Sequence, residues 1–199
     1  MRHLTFDISD SSSYKEAKKE TKRSIYTSHL LQLFCGLSDT KEIQKVLDKL
    51  SLDFPNAVII GATTAGEISH AKMYEHTVIV SLSLFKTTKL KAEHTSKIDA
   101  QSGKKLSQKL CSKYTKAAVI LSEGLKGIDY EGFIKGVKEK NSELIIAGGL
   151  AGDNFALKKT YVLFGNKIYK KGAVAVSFSG KKIIADNRYN LNWTPIGKE

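Results

Sequence analysis

Ala57-Val58-Ile59-Ile60-Gly61-Ala62-Thr63-Thr64-Ala65-Gly66-Glu67 is an aliphatic run that breaks into a glycine loop. The apolar residues 57–60 are too few for a helix and read as a strand buried on both faces. Upstream, Leu30 to Cys35 reads the same way. Between the two, Ile43, Val46, Leu47 and Leu50 recur at i, i+3, i+4 and i+7, the spacing of an amphipathic helix. Ser38-Asp39-Thr40 supplies its cap, with Glu42 three residues after Asp39, and Phe54-Pro55-Asn56 ends it. A strand, a helix and a strand within about 30 residues form a βαβ unit with parallel strands, so the expected fold is α/β.

The same reading extends in both directions. Residues 1–12 carry no periodic signal and read as a flexible N-terminal segment. A polar helix is expected over about 13–26, with Ser13 and Glu16 as a capping box. After the glycine loop, 77–85 and 89–94 alternate as strands. A helix over 99–114 would bury Leu106, Leu110 and Tyr114; a second, capped by Asp129, would bury Tyr130, Phe133, Ile134 and Val137. Strands are expected at 117–121 and 144–147, then near 160–165, 167–169, 172–180 and 182–188.

The second half of the chain repeats the first. Cys35 matches Ser122 and Gly61 matches Gly148 at a spacing of 87; Gly66 matches Gly152 and Glu67 matches Asp153 at 86. Val80-Ser81-Leu82-Ser83 resembles Val176-Ser177-Phe178-Ser179, and Lys89-Leu90-Lys91-Ala92 resembles Lys182-Ile183-Ile184-Ala185. Each unit, about 30–94 and 117–188, reads β-α-β-glycine loop-β-β. The expectation is two pseudo-twofold βαβββ repeats forming mixed β-sheets with flanking helices. Both glycine loops then leave the carboxyl ends of parallel strands, where open α/β sheets place their ligand crevice.

Those loops contain the candidate site: Thr63, Thr64 and Glu67 from the first, Gly148, Gly149, Asp153 and Asn154 from the second. Neither loop has the spacing of a Walker or dinucleotide fingerprint, and no helix follows to receive a phosphate. Backbone N–H groups and threonine hydroxyls suit a small polar ligand, and Glu67 and Asp153 suit its cationic group. Two acids also allow acid–base catalysis, but no nucleophile or orienting group accompanies them. Thr63 could serve as an N-terminal nucleophile only after cleavage behind Ala62. Glu67 with His70, and the nearby Glu75 and His76, match no metal pattern. No catalytic residue, metal or cofactor is therefore assigned. Cys35, at a strand end, is expected to line the crevice without reacting.

The 199 residues are 41% hydrophobic and 26% charged with two prolines, values that exclude a disordered chain, a coiled coil and a proline-rich linker. The sequence has no apolar run of membrane-spanning or signal-peptide length, which points to a soluble, cytoplasmic protein with no membrane partner. The net charge of +12 lies mostly in residues 101–199, with 18 Lys+Arg against 8 Asp+Glu. Only Arg2, Arg23 and Arg188 are arginines, and no nucleic-acid-binding motif is present, so a nucleic-acid partner is not favoured.

Gly61-Ala62-Thr63-Thr64-Ala65-Gly66-Glu67-Ile68, Gly148-Gly149-Leu150-Ala151-Gly152-Asp153-Asn154 and Gly172-Ala173-Val174-Ala175-Val176 resemble the N-terminal half of the FIST domain. Trp193-Thr194-Pro195-Ile196-Gly197 is similar to the stretch leading into that family's C-terminal half. The resemblance spans roughly residues 8–197, so residues 13–197 would form the sensory domain. The chain departs from the pattern at Ala62, where family members often carry Cys. The resemblance implies an intracellular sensory domain of a signal-transduction protein. Such a domain would bind a small polar metabolite such as an amino acid, without turnover. It further implies a C-terminal sensor half and an output domain as partners, and it admits a homodimer. Two other readings stay open: a hydrolase using Glu67 and Asp153, and a basic module binding protein or nucleic acid.

Overall fold

The computed structural model describes residues 1–124, 127–156 and 158–187. In chain order the elements are β1 (Arg2–Asp7), α1 (Ser11–Thr21), β2 (Ser28–Cys35), α2 (Thr40–Asp53), β3 (Ala57–Thr63), β4 (Glu67–Ser69), β5 (Lys72–Tyr74), β6 (Val78–Phe85) and β7 (Lys89–Thr95). There follow α3 (Ala100–Leu110), β8 (Thr115–Ser122), α4 (Tyr130–Lys138), β9 (Ile145–Leu150), β10 (Val162–Phe164), β11 (Lys167–Tyr169) and β12 (Ala173–Ser179).

Two mixed sheets stack face to face. One runs β1-β6-β2-β3-β10-β11 and the other β7-β12-β8-β9. Leu30, Ile60, Ala62, Leu121, Val162, Val174 and Val176 fill the space between them. On the outer face of the larger sheet, Leu31, Leu33 and Leu82 meet Tyr14 and Ala17 of α1 and Ile43, Leu47 and Leu50 of α2. On the outer face of the smaller sheet, Ala118, Ile120 and Ala175 meet Leu106 and Leu110 of α3 and Phe133 and Val137 of α4. The result is four layers, helix-sheet-sheet-helix, with three apolar seams. The α/β class and the mixed sheets match the sequence reading.

The repeat has a different phase from the one read in the sequence. In the larger sheet β1 pairs antiparallel with β6, β6 antiparallel with β2, and β2 parallel with β3. In the smaller sheet β7, β12, β8 and β9 pair in the same order and senses. Each unit therefore reads β-α-β-α-β-hairpin-β, over residues 2–85 and 89–179. The strand at 89–95 opens the second unit and does not close the first. Short matching words show that a period exists but not which element begins it.

Residues 1–12 are corrected for the same reason. β1 lies within them, paired with β6 from Arg2↔Leu84 to Asp7↔Ile79. Only Leu4 and Phe6 face the helices, too short an alternation to read. α1 starts earlier than expected, because the Asp10 carboxylate accepts from the N–H groups of Ser12 and Ser13 and from the Ser13 hydroxyl. That bond engages the hydroxyl of the expected capping box. α3 stops at Leu110, since Cys111 is extended and residues 112–115 form a turn, leaving Tyr114 exposed. No strand forms over 182–187. Arg188 and the stretch from Trp193 to Gly197 lie outside the described residues.

His29 in β2 is 8% exposed, and its Nε2 has no hydrogen-bond partner among the described residues. Burial lowers its pKa below the ordinary 6.5, partly opposed by a hydrogen bond to the Tyr26 backbone. The folded state therefore favours the neutral ring. That contribution is complete above 6.5 and is lost as pH falls toward the lowered folded value. Thermal unfolding is expected to show wild-type Tm falling between pH 7.5 and 5 (on the order of the histidine range) more steeply than in His29→Leu. Parallel pH profiles for the two proteins would contradict this account of His29.

Candidate functional site

Each parallel strand pair is extended by one hydrogen bond beyond its end. Thr64 N–H donates to the Cys35 carbonyl at 3.0 Å, and Ala151 N–H to the Ser122 carbonyl at 2.7 Å. The two loops then meet backbone to backbone. Gly152 N–H donates to the Thr63 carbonyl at 2.7 Å and Asn154 N–H to the Thr64 carbonyl at 3.4 Å. A Cβ on Gly152 would lie 2.8 Å from the Ala65 nitrogen, so only glycine fits this approach. Both loops follow the carboxyl ends of parallel strands, and they meet there.

Asn154 closes the junction from above. Its side-chain amide donates to the Gly36 carbonyl at 3.1 Å and sits 3.4 Å from His76 Nδ1. Asn154, Phe155 and His76 all have positive φ, at 53°, 62° and 57°. Such backbone is costly outside glycine and asparagine and gathers at functional sites. Phe155 is 83% exposed. The positive φ at His70 and Ala71 has a simpler origin, since they form the two-residue turn of the β4–β5 hairpin.

Glu67 forms the floor. It is 1% exposed. Its Oε1 accepts from the Thr64 hydroxyl, and its Oε2 accepts from the Thr77 hydroxyl at 2.9 Å and the Thr77 N–H at 3.3 Å. A Cβ on Gly36 would fall 2.7 and 2.8 Å from the two carboxylate oxygens, so the glycine makes the room. The carboxylate thus ties the start of the hairpin to the residue before β6.

The physical counterpart of Glu67 is Glu123, not Asp153. Gly36 N–H donates to the Thr77 carbonyl in the first unit, and Glu123 N–H to the Gly172 carbonyl in the second. Glu123 therefore stands where Gly36 does, and its own Oε1 accepts the Gly172 N–H at 2.7 Å. Each unit places a buried carboxylate on the N–H just before its last strand, from different sequence positions. Asp153 instead organises its own loop, its Oδ2 accepting from Lys158 N–H at 2.6 Å and Lys159 N–H at 2.9 Å.

The remaining expected residues divide. Thr63 is 3% exposed, and its hydroxyl accepts the Tyr161 N–H at 3.0 Å, joining β3 to β10. Gly148 and Gly149 belong to β9 and line a separate cavity of about 330 Å³ with Tyr130, Ile134 and Ile146. The structure thus brings together Thr63, Thr64, Glu67 and Asn154, adds Gly36, His76 and Thr77, and sets Gly148 and Gly149 apart, while Asp153 lies in the junction loop with its Oδ2 accepting from Lys158 and Lys159 N–H. Gly36 was legible as the residue after a strand end, and His76 only as one of the histidines near Glu67 weighed for a metal; nothing in the sequence marked Thr77 as a partner of Glu67.

Cys35 does not line the crevice. It is 1% exposed within the core beneath α2, and burial pushes its thiol up to about 11. Ala62 is 4% exposed between the sheets. His70 Nδ1 sits 2.9 Å from the Ser69 hydroxyl. Among the described residues, no three His, Cys, Asp or Glu side chains are grouped to hold a metal, and no helix is long and apolar enough to cross a membrane.

No curated protein matches the chain. The family model for the FIST N domain matches residues 29–199, from the second strand of the first unit onward. On that match over most of its length, the chain belongs to the FIST N domain family.

Proposed function

We propose that this chain is the ligand-binding part of a cytoplasmic sensor. FIST domains are sensory domains of signal-transduction proteins. The ligand class we favour is a small polar metabolite such as an amino acid. It would bind without turnover, and the signal would pass to a C-terminal sensor half and an output domain. The observation that carries this reading is the backbone junction of the two loops, capped by Asn154 and His76 in positive-φ conformations. Main-chain groups, the Asn154 amide and the buried Glu67 carboxylate are gathered there in one set of hydrogen bonds. The carboxylates support the loops and are not placed for hydrolysis. Glu67 is enclosed by threonine donors and Asp153 is engaged by backbone N–H groups, which leaves neither poised as a general base. Ligand would shift the balance between two arrangements of the loops by its differential affinity for them.

A thermal-shift screen against amino acids and other metabolites tests the reading. A ligand at 100 times its dissociation constant stabilises by about 2.7 kcal/mol. Asn154→Gly keeps the positive φ and removes the amide, and it is expected to weaken binding by about tenfold, the value of one hydrogen bond. A panel with no hit, or a hit indifferent to Asn154→Gly, rejects the site.

A further inference from the structure

The two units differ at one edge. In the larger sheet β10 pairs antiparallel with β3, at Val162↔Ala62, Leu163↔Gly61 and Phe164↔Ile60, and so covers its outer side. In the smaller sheet the corresponding strand β9 is terminal and pairs only with β8 among the described residues. The hairpin that would match β10–β11, namely β4–β5, forms a separate two-stranded sheet. Its turn residue His70 shares a surface cavity with Phe6, Ser13 and Glu16, on the β1–α1 side.

We propose that β9 pairs antiparallel with β9 of a second copy across a twofold axis, joining the two four-stranded sheets into one of eight. Natural sheet edges are usually blunted by Lys, Pro, a bulge or a covering segment. β9 reads Ile145-Ile146-Ala147-Gly148-Gly149-Leu150, with no charge and no proline, and residues 147–150 are exposed. Gly148 and Gly149 let another backbone approach closely. Beside the edge, the cavity lined by Tyr130, Phe133, Ile134 and Ile146 is open and apolar, and Leu150 stands 58% exposed at its rim.

The charge pattern on α4 favours a second copy over an unrelated strand. Glu131 and Lys135 form an exposed pair one turn apart, next to Tyr130 and Ile134 at the groove. Antiparallel β9 strands bring the two α4 helices alongside in opposite senses. Glu131 then faces Lys135 of the partner subunit, and Lys135 faces Glu131 of the partner subunit. Such self-complementarity is what an isologous interface requires.

Sedimentation of the whole chain over a range of concentrations tests this, together with hydrogen exchange at β9. The expected result is a reversible dimer whose formation slows exchange at 145–150. Leu150→Lys is expected to weaken the dimer by about a hundredfold while the monomer keeps its Tm, because Leu150 is exposed in the monomer. Glu131→Lys alone weakens it by about tenfold, and Glu131→Lys with Lys135→Glu restores it. A monomer at every concentration, with β9 exchanging freely, overturns the proposal and leaves the edge to a strand of another protein. A dimer indifferent to Leu150→Lys, or one that the double reversal does not restore, overturns it as well.

Discussion

Gly103→Ala and Gly136→Ala are each expected to lower the unfolding free energy by about 3 kcal/mol, the upper range for overpacking. For a chain of this length that is a fall in Tm of roughly 6–12 °C. The cause is the backbone contact between α3 and α4. A Cβ on Gly103 would stand 2.2 Å from the Phe133 carbonyl oxygen and 3.0 Å from the Val137 nitrogen. A Cβ on Gly136 would stand 2.2 Å from the Ala100 carbonyl oxygen. Backbone cannot turn aside as a flexible side chain can, so the helices must separate. Separation opens the seam that buries Leu106, Leu110, Phe133 and Val137. The greater helix propensity of alanine returns about 1 kcal/mol at each position and does not offset this. Gly149→Ala is the control: a Cβ there meets nothing within 4 Å, and its Tm is expected to stay near wild type. Urea unfolding of the three variants measures the difference. A shift of less than about 1 kcal/mol for both helix variants would mean that the helices adjust freely.

Much of the fold was legible because burial and capping leave direct marks in sequence. β2 and β3 are largely apolar runs, and Asp39 and Asp129, read as caps, accept first-turn N–H groups of α2 and α4; Asp99, read as the first residue of its helix, caps α3 in the same way. β1 was not legible, because an edge strand seen by the core on one face carries only Leu4 and Phe6. Tyr114 fitted a helical spacing but falls after Cys111, where the chain turns. The repeat was legible as a period and not as a boundary.

The candidate site shows a sharper limit. Glycine-acid words at matched spacing paired Glu67 with Asp153, yet the equivalent backbone bonds pair Gly36 with Glu123. What the two units share is a carboxylate on one N–H, and evolution can supply it from either side of the gap. Sequence matching tracks positions along the chain. It cannot see that the empty space over Gly36 and the side chain of Glu67 are complementary.

That complementarity makes Glu67→Ala the second large expected effect, a loss of about 3 kcal/mol. The change leaves two threonine hydroxyls and the Thr77 N–H without their acceptor. Hydrogen bonds to a charged group are each worth about 1.5–3 kcal/mol, and a buried donor left unpaired costs about 1–3 kcal/mol. Relaxation of the short hairpin limits the total, since β4 and β5 have three residues each and can move to admit water. The damage is expected to be local as well as global. Hydrogen-exchange protection at 67–77 falls first, because the hairpin is tied to β6 through this carboxylate. Gly36→Ala should resemble Glu67→Ala, since its Cβ occupies the space of the carboxylate oxygens. Asp153→Ala removes the acceptor of the Lys158 and Lys159 N–H groups in an exposed loop, and its effect should be smaller than that of Glu67→Ala. If Glu67→Ala unfolds like wild type and the hairpin keeps its protection, the carboxylate is not the clamp. The floor of the proposed ligand site would then need another support. If the hairpin loosens and metabolite binding is lost with it, the clamp and the sensor site are one structure.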